Sequence, residues 1–166
     1  MLHSKIFVSS KRTIEVNGLF TGSLIKKGTL VWTQDEPVYP LAEIQQWPTQ
    51  KQDAFQHYGF QCGVDQFCLS ENTSREMNHS CDPNTWWSDS YSLEARRDIQ
   101  PNEEVTYDYA TSDVALAFEI SCSCGAENCR GIVTNLDYQL SSWQQQYGTK
   151  LPQHALLAIA ESKTGQ

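Results

Sequence analysis

The 166-residue sequence lacks long apolar runs, internal repeats, low-complexity stretches and blocks of like charge. No segment approaches the roughly 18 apolar residues of a membrane-spanning helix, and the first residues lack the apolar core of a signal peptide. There is also no glycine-rich loop of the kind that cradles phosphate. These absences argue against a membrane protein and a secreted protein, so we expect an intracellular protein of the cytoplasm or nucleus.

Basic residues are scarce. Twelve Lys and Arg against 20 Asp and Glu give a formal charge of −8. Such a surface repels phosphate backbones and anionic lipids, so we expect no direct binding to nucleic acid or membrane, and a cationic partner instead. Apolar residues make up 39% and aromatic residues 11% of the chain, which is typical of a folded domain. The length fits one domain that buries roughly 70% of its unfolded surface.

Local patterns predict short strands, with a few helices. Asn17-Gly18 and Lys27-Gly28 are predicted turns. The Thr134-x-x-Asp137 pattern resembles a capping box and predicts the start of a C-terminal helix, with one more helix after it. Strand patterns occupy residues 6–32, 61–69, 86–96 and 104–109, and helical spacing occupies residues 37–58. Together they predict a mainly β or α+β domain.

The cysteine spacing points to a metal site. Three of the six cysteines fall in the segment CSCGAENC at 122–129. Zinc takes four tetrahedral ligands, so a fourth must come from elsewhere. Cys81 is favoured, with Cys62, Cys68 and the four histidines as competitors. The alternative, buried cysteines acting as small apolar residues, is disfavoured by the clustering. Cys62 and Cys68 are interpreted as thiols flanking a hairpin.

Three motifs resemble those of a known family. Residues 75–84 read REMNHSCDPN and residues 103–109 read EEVTYDY. They resemble the two signatures of the SET-domain lysine methyltransferases, and the cysteine loop followed by Arg130-Gly131 resembles the post-SET zinc motif of that family. The motifs occur in the order that the family has, and the resemblance covers about residues 5–133. No pre-SET cysteine cluster is present, so the chain resembles a minimal member.

The resemblance implies a fold and a set of domains. The family fold is mainly β (α+β), the SET-domain fold or β-clip. It has small curved sheets, a pseudoknot-like C-terminal active site, a short helical insert and a C-terminal helix. We expect a SET domain at 5–115, a post-SET zinc loop at 116–133 and a helical extension at 134–166.

The resemblance also implies functional residues. The expected cofactors are S-adenosylmethionine and one structural Zn²⁺. Tyr109 and Tyr107 are the expected catalytic residues, and a Tyr rather than Phe at 107 predicts mono- or dimethylation. Trp86 or Trp87 is an additional candidate for the wall of the lysine channel. The expected cofactor-binding residues are Asn78, His79, Arg75, Asn17, Gly18 and Leu19. The expected metal ligands are Cys81, Cys122, Cys124 and Cys129.

Some positions depart from the family pattern. Val16-Asn17-Gly18 replaces the usual G-x-G, and Glu76 replaces the usual aromatic residue. A further family tyrosine has no clear equivalent, and Trp32 and Tyr39 are both candidates.

The expected activity is methyl transfer to a lysine of a basic protein or peptide, with histone tails as the family's best-known targets. Two alternatives remain open: a catalytically silent module that binds peptide or cofactor, and an enzyme acting on a non-protein metabolite. The presence of Asn78, His79, Tyr107 and Tyr109 together disfavours the silent module.

Overall fold

The computed structural model describes residues 1–10 and 17–164. Short strands and a few helices make up this part of the chain, as predicted. The strands are β1 Ile6–Ser10, β2 Asn17–Thr21, β3 Leu30–Thr33, β4 Val38–Tyr39, β5 Gly59–Gly63, β6 Gln66–Leu69, β7 Asn78–His79, β8 Thr85–Trp87, β9 Ser92–Ala95, β10 Glu104–Tyr107, β11 Glu119–Ser121 and β12 Ile132–Thr134. The helices are α1 Leu41–Ile44, α2 Thr49–Tyr58, α3 Ser141–Tyr147 and α4 Gln153–Thr164.

The strands form four small sheets. The largest has the order β1-β2-β10-β7, and the others are β3-β9-β8, β4-β6-β5 and β11-β12. In the largest sheet β7 and β10 run parallel, although most other pairs are antiparallel. Val105 faces Leu19 across β10 and β2, and both are fully buried. This apolar pair fixes the register, because a slip of one residue would turn both side chains towards solvent.

Three apolar clusters form the interior. The first lies between the sheets and includes Leu19, Val31 and Ile99. A second, smaller cluster holds the helical insert of α1 and α2 against β6. The third joins Cys81 and Val133 to Trp143 of α3 and to α4. The C-terminal helices therefore pack on the cysteine loop and share its core.

Local sequence explains several helix ends. Helices α1 and α2 begin directly after Pro40 and Pro48, where a missing N–H costs nothing. Helix α3 ends at Gly148, whose φ of 56° suits a residue without Cβ. None of the described helices combines the length and apolarity needed to cross a membrane.

Two local predictions were wrong. Asn17 and Gly18 do not form a turn but begin β2, where they pair with Ser10 and Ser9. The connection between β1 and β2 lies at residues 11–16, outside the described residues, and Val16 is among them. The pattern at Thr134 does not start a helix, because Thr134 belongs to β12.

Instead, the Thr134 hydroxyl lies 3.0 Å from the Asp137 carboxylate and accepts the N–H of Leu136 at 3.2 Å. A single 3₁₀ turn follows at Asp137–Gln139, and α3 begins only at Ser141. The strand predicted at 104–109 is also shorter. It ends at Tyr107 because the Asp108 carboxylate accepts the N–H of Ala110 and turns the chain into a 3₁₀ helix at Tyr109–Thr111.

Candidate active site

The parallel pairing of β7 and β10 brings the two sequence motifs side by side. Asn78 pairs with Thr106 and His79 with Tyr107. Ser80 then donates its N–H to the carbonyl of Tyr107 at 3.1 Å. Residues nearly 30 positions apart thus become immediate neighbours, which the sequence order alone does not reveal.

Asn78 sits at a crowded crossing of three strands. Its amide Nδ2 donates to the carbonyl of Asn17 at 2.9 Å and to Glu104 Oε1 at 2.8 Å. A Cβ added at Gly18 would lie 2.5 Å from Glu104 Oε1 and 3.0 Å from Asn78 Nδ2, so a side chain here would displace the Glu104 carboxylate from its bond to Asn78. The structure therefore brings Asn17 and Gly18 together with Asn78, while Leu19 faces the core. Arg75 lies over the ring of Tyr58 and lines the neighbouring cavity.

His79 links β7 to the 3₁₀ turn that carries Tyr109. The N–H of Tyr109 donates to His79 Nδ1 at 3.2 Å, which leaves Nε2 as the protonated nitrogen, 3.4 Å from the sulfur of Cys81. Burial lowers the pKa of His79, with the Asp108 carboxylate partly opposing this effect. A neutral imidazole with its hydrogen on Nε2 satisfies both contacts.

Tyr107 and Tyr109 face an aromatic cavity of about 630 Å³. Their ring centroids are 4.9 Å apart, and the hydroxyl of Tyr109 donates to the carbonyl of Met77 at 3.0 Å. Burial raises the pKa of Tyr109 to about 12 and that of Tyr107 well above its ordinary value. Both phenols are therefore neutral hydrogen-bonding groups at physiological pH.

The structure separates the other aromatic candidates. Trp32 and Trp87 line the cavity, and their rings meet edge to face at 6.2 Å. Trp86 does not line it and instead donates its indole N–H to Glu94 at 2.9 Å. Tyr39 packs on Trp47, also away from the cavity. Of the candidates Trp86 and Trp87, Trp87 contributes to the cavity wall. Of Trp32 and Tyr39, Trp32 does.

The four predicted metal ligands come together. Their sulfurs all lie within 4.8 Å of one another, and Cys122 is 3.8 Å from both Cys81 and Cys129. A tetrahedron with Zn–S bonds of about 2.3 Å has edges of roughly 3.8 Å, so the spacing fits zinc. Burial raises the pKa of Cys124, but the N–H groups of Cys81 and Ala126 outweigh it and lower the pKa to about 6. The Cys124 thiol therefore loses its proton more readily than an ordinary cysteine.

Cys62 and Cys68 are separate from this cluster. They lie on β5 and β6, fully buried, with their sulfurs 3.0 Å apart. The interpretation as thiols of a hairpin is confirmed. Within residues 1–10 and 17–164, the four-cysteine cluster is the one group of Cys, His, Asp and Glu with the spacing of a metal site.

Asp108 is a residue whose importance the sequence did not reveal. It is 1% exposed, and Arg130 donates to both of its oxygens at 2.7 Å. The indole N–H of Trp143 and the hydroxyl of Tyr147 also donate to Asp108 Oδ2, at 3.0 and 2.9 Å. Asp108 thus ties α3 and the cysteine loop to the turn that carries Tyr109. Its position inside YDY was the available signal, whereas nothing in the sequence marked Trp143.

Asp113 was also missed. Its carboxylate accepts the N–H of Gln61 at 2.8 Å and lines the aromatic cavity. Burial raises its pKa from 3.8 to about 7, although hydrogen bonds from Gln61 and Ser112 oppose the shift. A pKa raised on folding means that this group stabilises the protein below pH 4 and that the benefit is lost as the pH rises through 7.

The Asp113→Asn variant is accordingly expected to be more stable than the wild type at pH 8, by about 1–3 kcal/mol, because Asn has no charge to desolvate. Below pH 4 the difference should vanish. Urea unfolding of both proteins across this pH range measures it. If the difference in free energy of unfolding between Asp113→Asn and the wild type is the same at pH 8 as at pH 4, the pKa of the Asp113 carboxyl is not raised in the folded protein.

Comparison with known proteins gives a consistent picture. The model of the SET domain family matches residues 17–110. A histone-lysine N-methyltransferase described as H3 lysine-4 specific, from Cryptococcus neoformans, is 31% identical over 137 residues, which cover 74% of this chain and 9% of that relative. The Arabidopsis thaliana histone-lysine N-methyltransferase ASHR3 is 40% identical over 67 residues, 36% of this chain and 13% of the relative. The chain thus spans only a small part of these curated relatives.

Solved structures share the fold. The methyltransferase domain of human histone-lysine N-methyltransferase SETMAR aligns with a TM-score of 0.58 and 24% identity, covering 78% of this chain and 58% of that one. KRYPTONITE in complex with mCHG DNA and SAH gives the same TM-score and identity, over 79% of this chain and 29% of that one. The similarity confirms the predicted fold class.

Proposed function

Because the chain belongs to the SET-domain family, whose model covers residues 17–110, we propose that it transfers a methyl group from S-adenosylmethionine to the ε-amine of a protein lysine. One observation carries the proposal: the pairing of β7 with β10 sets Asn78 and His79 directly beside the tyrosine-lined cavity. A polar binding edge and an apolar channel thus meet at Tyr109, as a reaction between two bound molecules requires.

When bound, the cofactor supplies a methyl group on a sulfonium centre. The residues of this chain bind the cofactor and orient it towards the lysine amine. With both N–H groups of the Asn78 amide bound to Asn17 and Glu104, its oxygen is the hydrogen-bonding group left for the cofactor, beside the backbone of Asn17 and Gly18. Tyr109 lines the cavity and its hydroxyl is held by the carbonyl of Met77, which supports a role for this hydroxyl in orienting the reacting groups. Catalysis by such a site rests on orientation and electrostatics rather than on a covalent intermediate.

The cavity also suits the nucleophile, which must be a neutral amine. With an ordinary pKa of about 10.4, neutralising a lysine at pH 7 costs about 4–5 kcal/mol in water. An aromatic wall disfavours the charged form and lowers this cost. Trp32, Trp87 and Tyr107 supply that wall.

The cysteine cluster is proposed to hold one structural Zn²⁺. Its sulfur spacing fits, and all four positions of a tetrahedral site are filled by protein ligands, which is typical of closed structural sites. Cys81 directly follows the Asn78-His79-Ser80 segment, so the metal would hold the cysteine loop beside the active site. We propose a division into a SET domain at 5–115, a zinc loop at 116–133 and a helical extension at 134–166, which this arrangement supports.

The proposed substrate is a basic protein segment such as a histone tail. The formal charge of −8 favours a cationic partner, and the relatives named above are histone-lysine methyltransferases. We propose a nuclear or cytoplasmic location because the relatives named above are histone-lysine methyltransferases. Direct contact with nucleic acid or membrane remains disfavoured by the charge.

Tyr107 is proposed to limit the number of methyl groups. Its hydroxyl narrows the cavity, so the wild type is expected to stop at mono- or dimethyllysine, and Tyr107→Phe should add one further methyl group. Mass spectrometry of a methylated peptide measures the product. A wild type that readily trimethylates, or a variant with an unchanged product, would contradict this role.

Calorimetry distinguishes the proposal from a silent module. An enzyme must bind S-adenosylmethionine, whereas failure to bind either S-adenosylmethionine or its demethylated product would exclude the enzyme. Binding without transfer to any protein in a cell lysate would leave the silent module or a metabolite-directed enzyme.

A further inference from the structure

One charged side chain in the aromatic cavity has no function in the proposal above. Asp113 lies just beyond the 3₁₀ turn of Tyr109 and shares the cavity wall with Tyr107 and Tyr109. Its Oδ1 accepts the N–H of Gln61 at 2.8 Å, and its Oδ2 lies 3.1 Å from the hydroxyl of Ser112. These two bonds fix the carboxylate within a largely apolar space.

Asp113 has no cationic partner within the described part of the chain. The titratable groups around it are the phenol of Tyr107 on β10, the thiol of Cys62 on β5 and, beyond the carbonyl of Ser112, His154 of α4. Burial raises the pKa of Tyr107 and lowers that of His154, so both are neutral, and the pKa of Cys62 is raised by its bond to Cys68 and by burial. The guanidinium of Arg130 is bound to Asp108 and Asp137, and that of Arg75, which lines the same cavity, lies over the ring of Tyr58 and is paired with Glu76.

A partly buried carboxylate on a largely apolar wall, without a counter-ion among the described residues, costs stability, and a bound cation would offset that cost. The rest of the cavity lining is mostly apolar and aromatic, so the Asp113 carboxylate is a negative group on a largely apolar wall. The complement of such a site is an alkylammonium group: an apolar stem with a positive end.

We propose that Asp113 recognises the ammonium group of the substrate lysine in the cavity and accepts a proton from it. This role rests on the proposed function. In the step, one N–H bond of the ammonium breaks and an O–H bond forms on Asp113, so the lysine becomes a neutral amine whose lone pair attacks the methyl group. The proton later leaves Asp113 for water. Asp113 thereby selects an amine and prepares it as the nucleophile.

A purely structural role makes a different prediction. Asn at position 113 keeps the shape of the side chain and an oxygen that accepts the N–H of Gln61. If Asp113 only holds β5 against the following segment, Asp113→Asn should behave like the wild type in every functional assay. Asp53→Asn, at an exposed position of α2 outside the cavity wall, is the matched control for the loss of one negative charge.

The binding half of the proposal is tested without turnover, using n-butylammonium as the probe. Protein with ¹³C-labelled aspartate is titrated by NMR, and Asp113→Asn identifies the signal of Asp113. We expect saturating n-butylammonium to lower the pKa of Asp113 by at least about one unit, as an opposite charge nearby does. Neutral n-butanol should leave it unchanged. Equal small effects of both probes would overturn the proposal.

The proton-transfer half is tested with tritiated S-adenosylmethionine and core histones. Asp113→Asn is expected to lower kcat about 100-fold, within the range of a lost general base, while Asp53→Asn stays within about twofold of the wild type. Calorimetry should show unchanged affinity for S-adenosylmethionine in both variants. An undiminished kcat for Asp113→Asn would overturn the role. A wild type that transfers nothing would instead contradict the proposed function, and the NMR titration would still decide whether Asp113 binds the amine.

Discussion

The Tyr109→Phe variant is expected to lose at least about 100-fold in kcat and to keep its affinity for S-adenosylmethionine within about threefold. The hydroxyl of Tyr109 is held at 3.0 Å from the carbonyl of Met77, and its ring packs on His79 and Tyr107 at centroid distances of 5.3 and 4.9 Å. Phe preserves these ring contacts and removes only the polar group. The loss of one preorganised hydrogen-bonding group in an active site typically costs 10²–10³-fold in rate.

Single-turnover transfer of a tritiated methyl group measures this effect, with calorimetry for cofactor affinity. Tyr91→Phe is the matched control, since Tyr91 is 50% exposed and lies away from the cavity. A Tyr109→Phe rate within threefold of the wild type would remove Tyr109 from the chemistry. A loss of stability without a loss of rate would point to a structural role.

Removal of the proposed zinc is expected to disorder the cysteine loop and abolish methyl transfer. Cys81 and Val133 share an apolar core with Trp143, and Asp108 links this region to the Tyr109 turn. Metal binding to a four-thiolate site contributes on the order of 10 kcal/mol to folding. We expect chelation, or Cys124→Ser, to lower Tm by more than about 10 °C, given about 2–4 °C per kcal/mol for a chain of this size.

Metal content, circular dichroism and methyl transfer measured on the same samples test this coupling. Cys62→Ser is the control, because Cys62 is buried but belongs to no metal cluster, and it should retain one zinc per chain. A fully active enzyme from which zinc has demonstrably been removed would contradict the coupling.

The sequence predicted the parts of the site that depend on local spacing. The 122–129 segment holds three thiols on a short tether, so the cluster required only one more ligand, and Cys81 was available in a motif. The fold class followed from short strands and from the family motifs. These predictions agree with the structure because they depend on local spacing or on the motifs, and not on contacts between distant residues.

The remaining features depend on tertiary contacts. The paired position of Asn17 and Gly18 in β2 was hidden because an Asn-Gly pair favours turns, and only the strand partner overrides that preference. Trp86 and Trp87 are adjacent in sequence, and their opposite orientations follow from the alternation of β8. Asp113 has no motif at all, and its significance appears only when Gln61 and Tyr107 surround it.

The central claim is that this chain methylates a lysine with S-adenosylmethionine. The most direct measurement incubates the wild type and Tyr109→Phe with tritiated S-adenosylmethionine, core histones and a cell lysate, and maps any labelled residue by mass spectrometry. The account predicts label on lysine ε-amines with the wild type and almost none with the variant. No label on any protein from a folded, cofactor-binding wild type, or label on residues other than lysine, would contradict it.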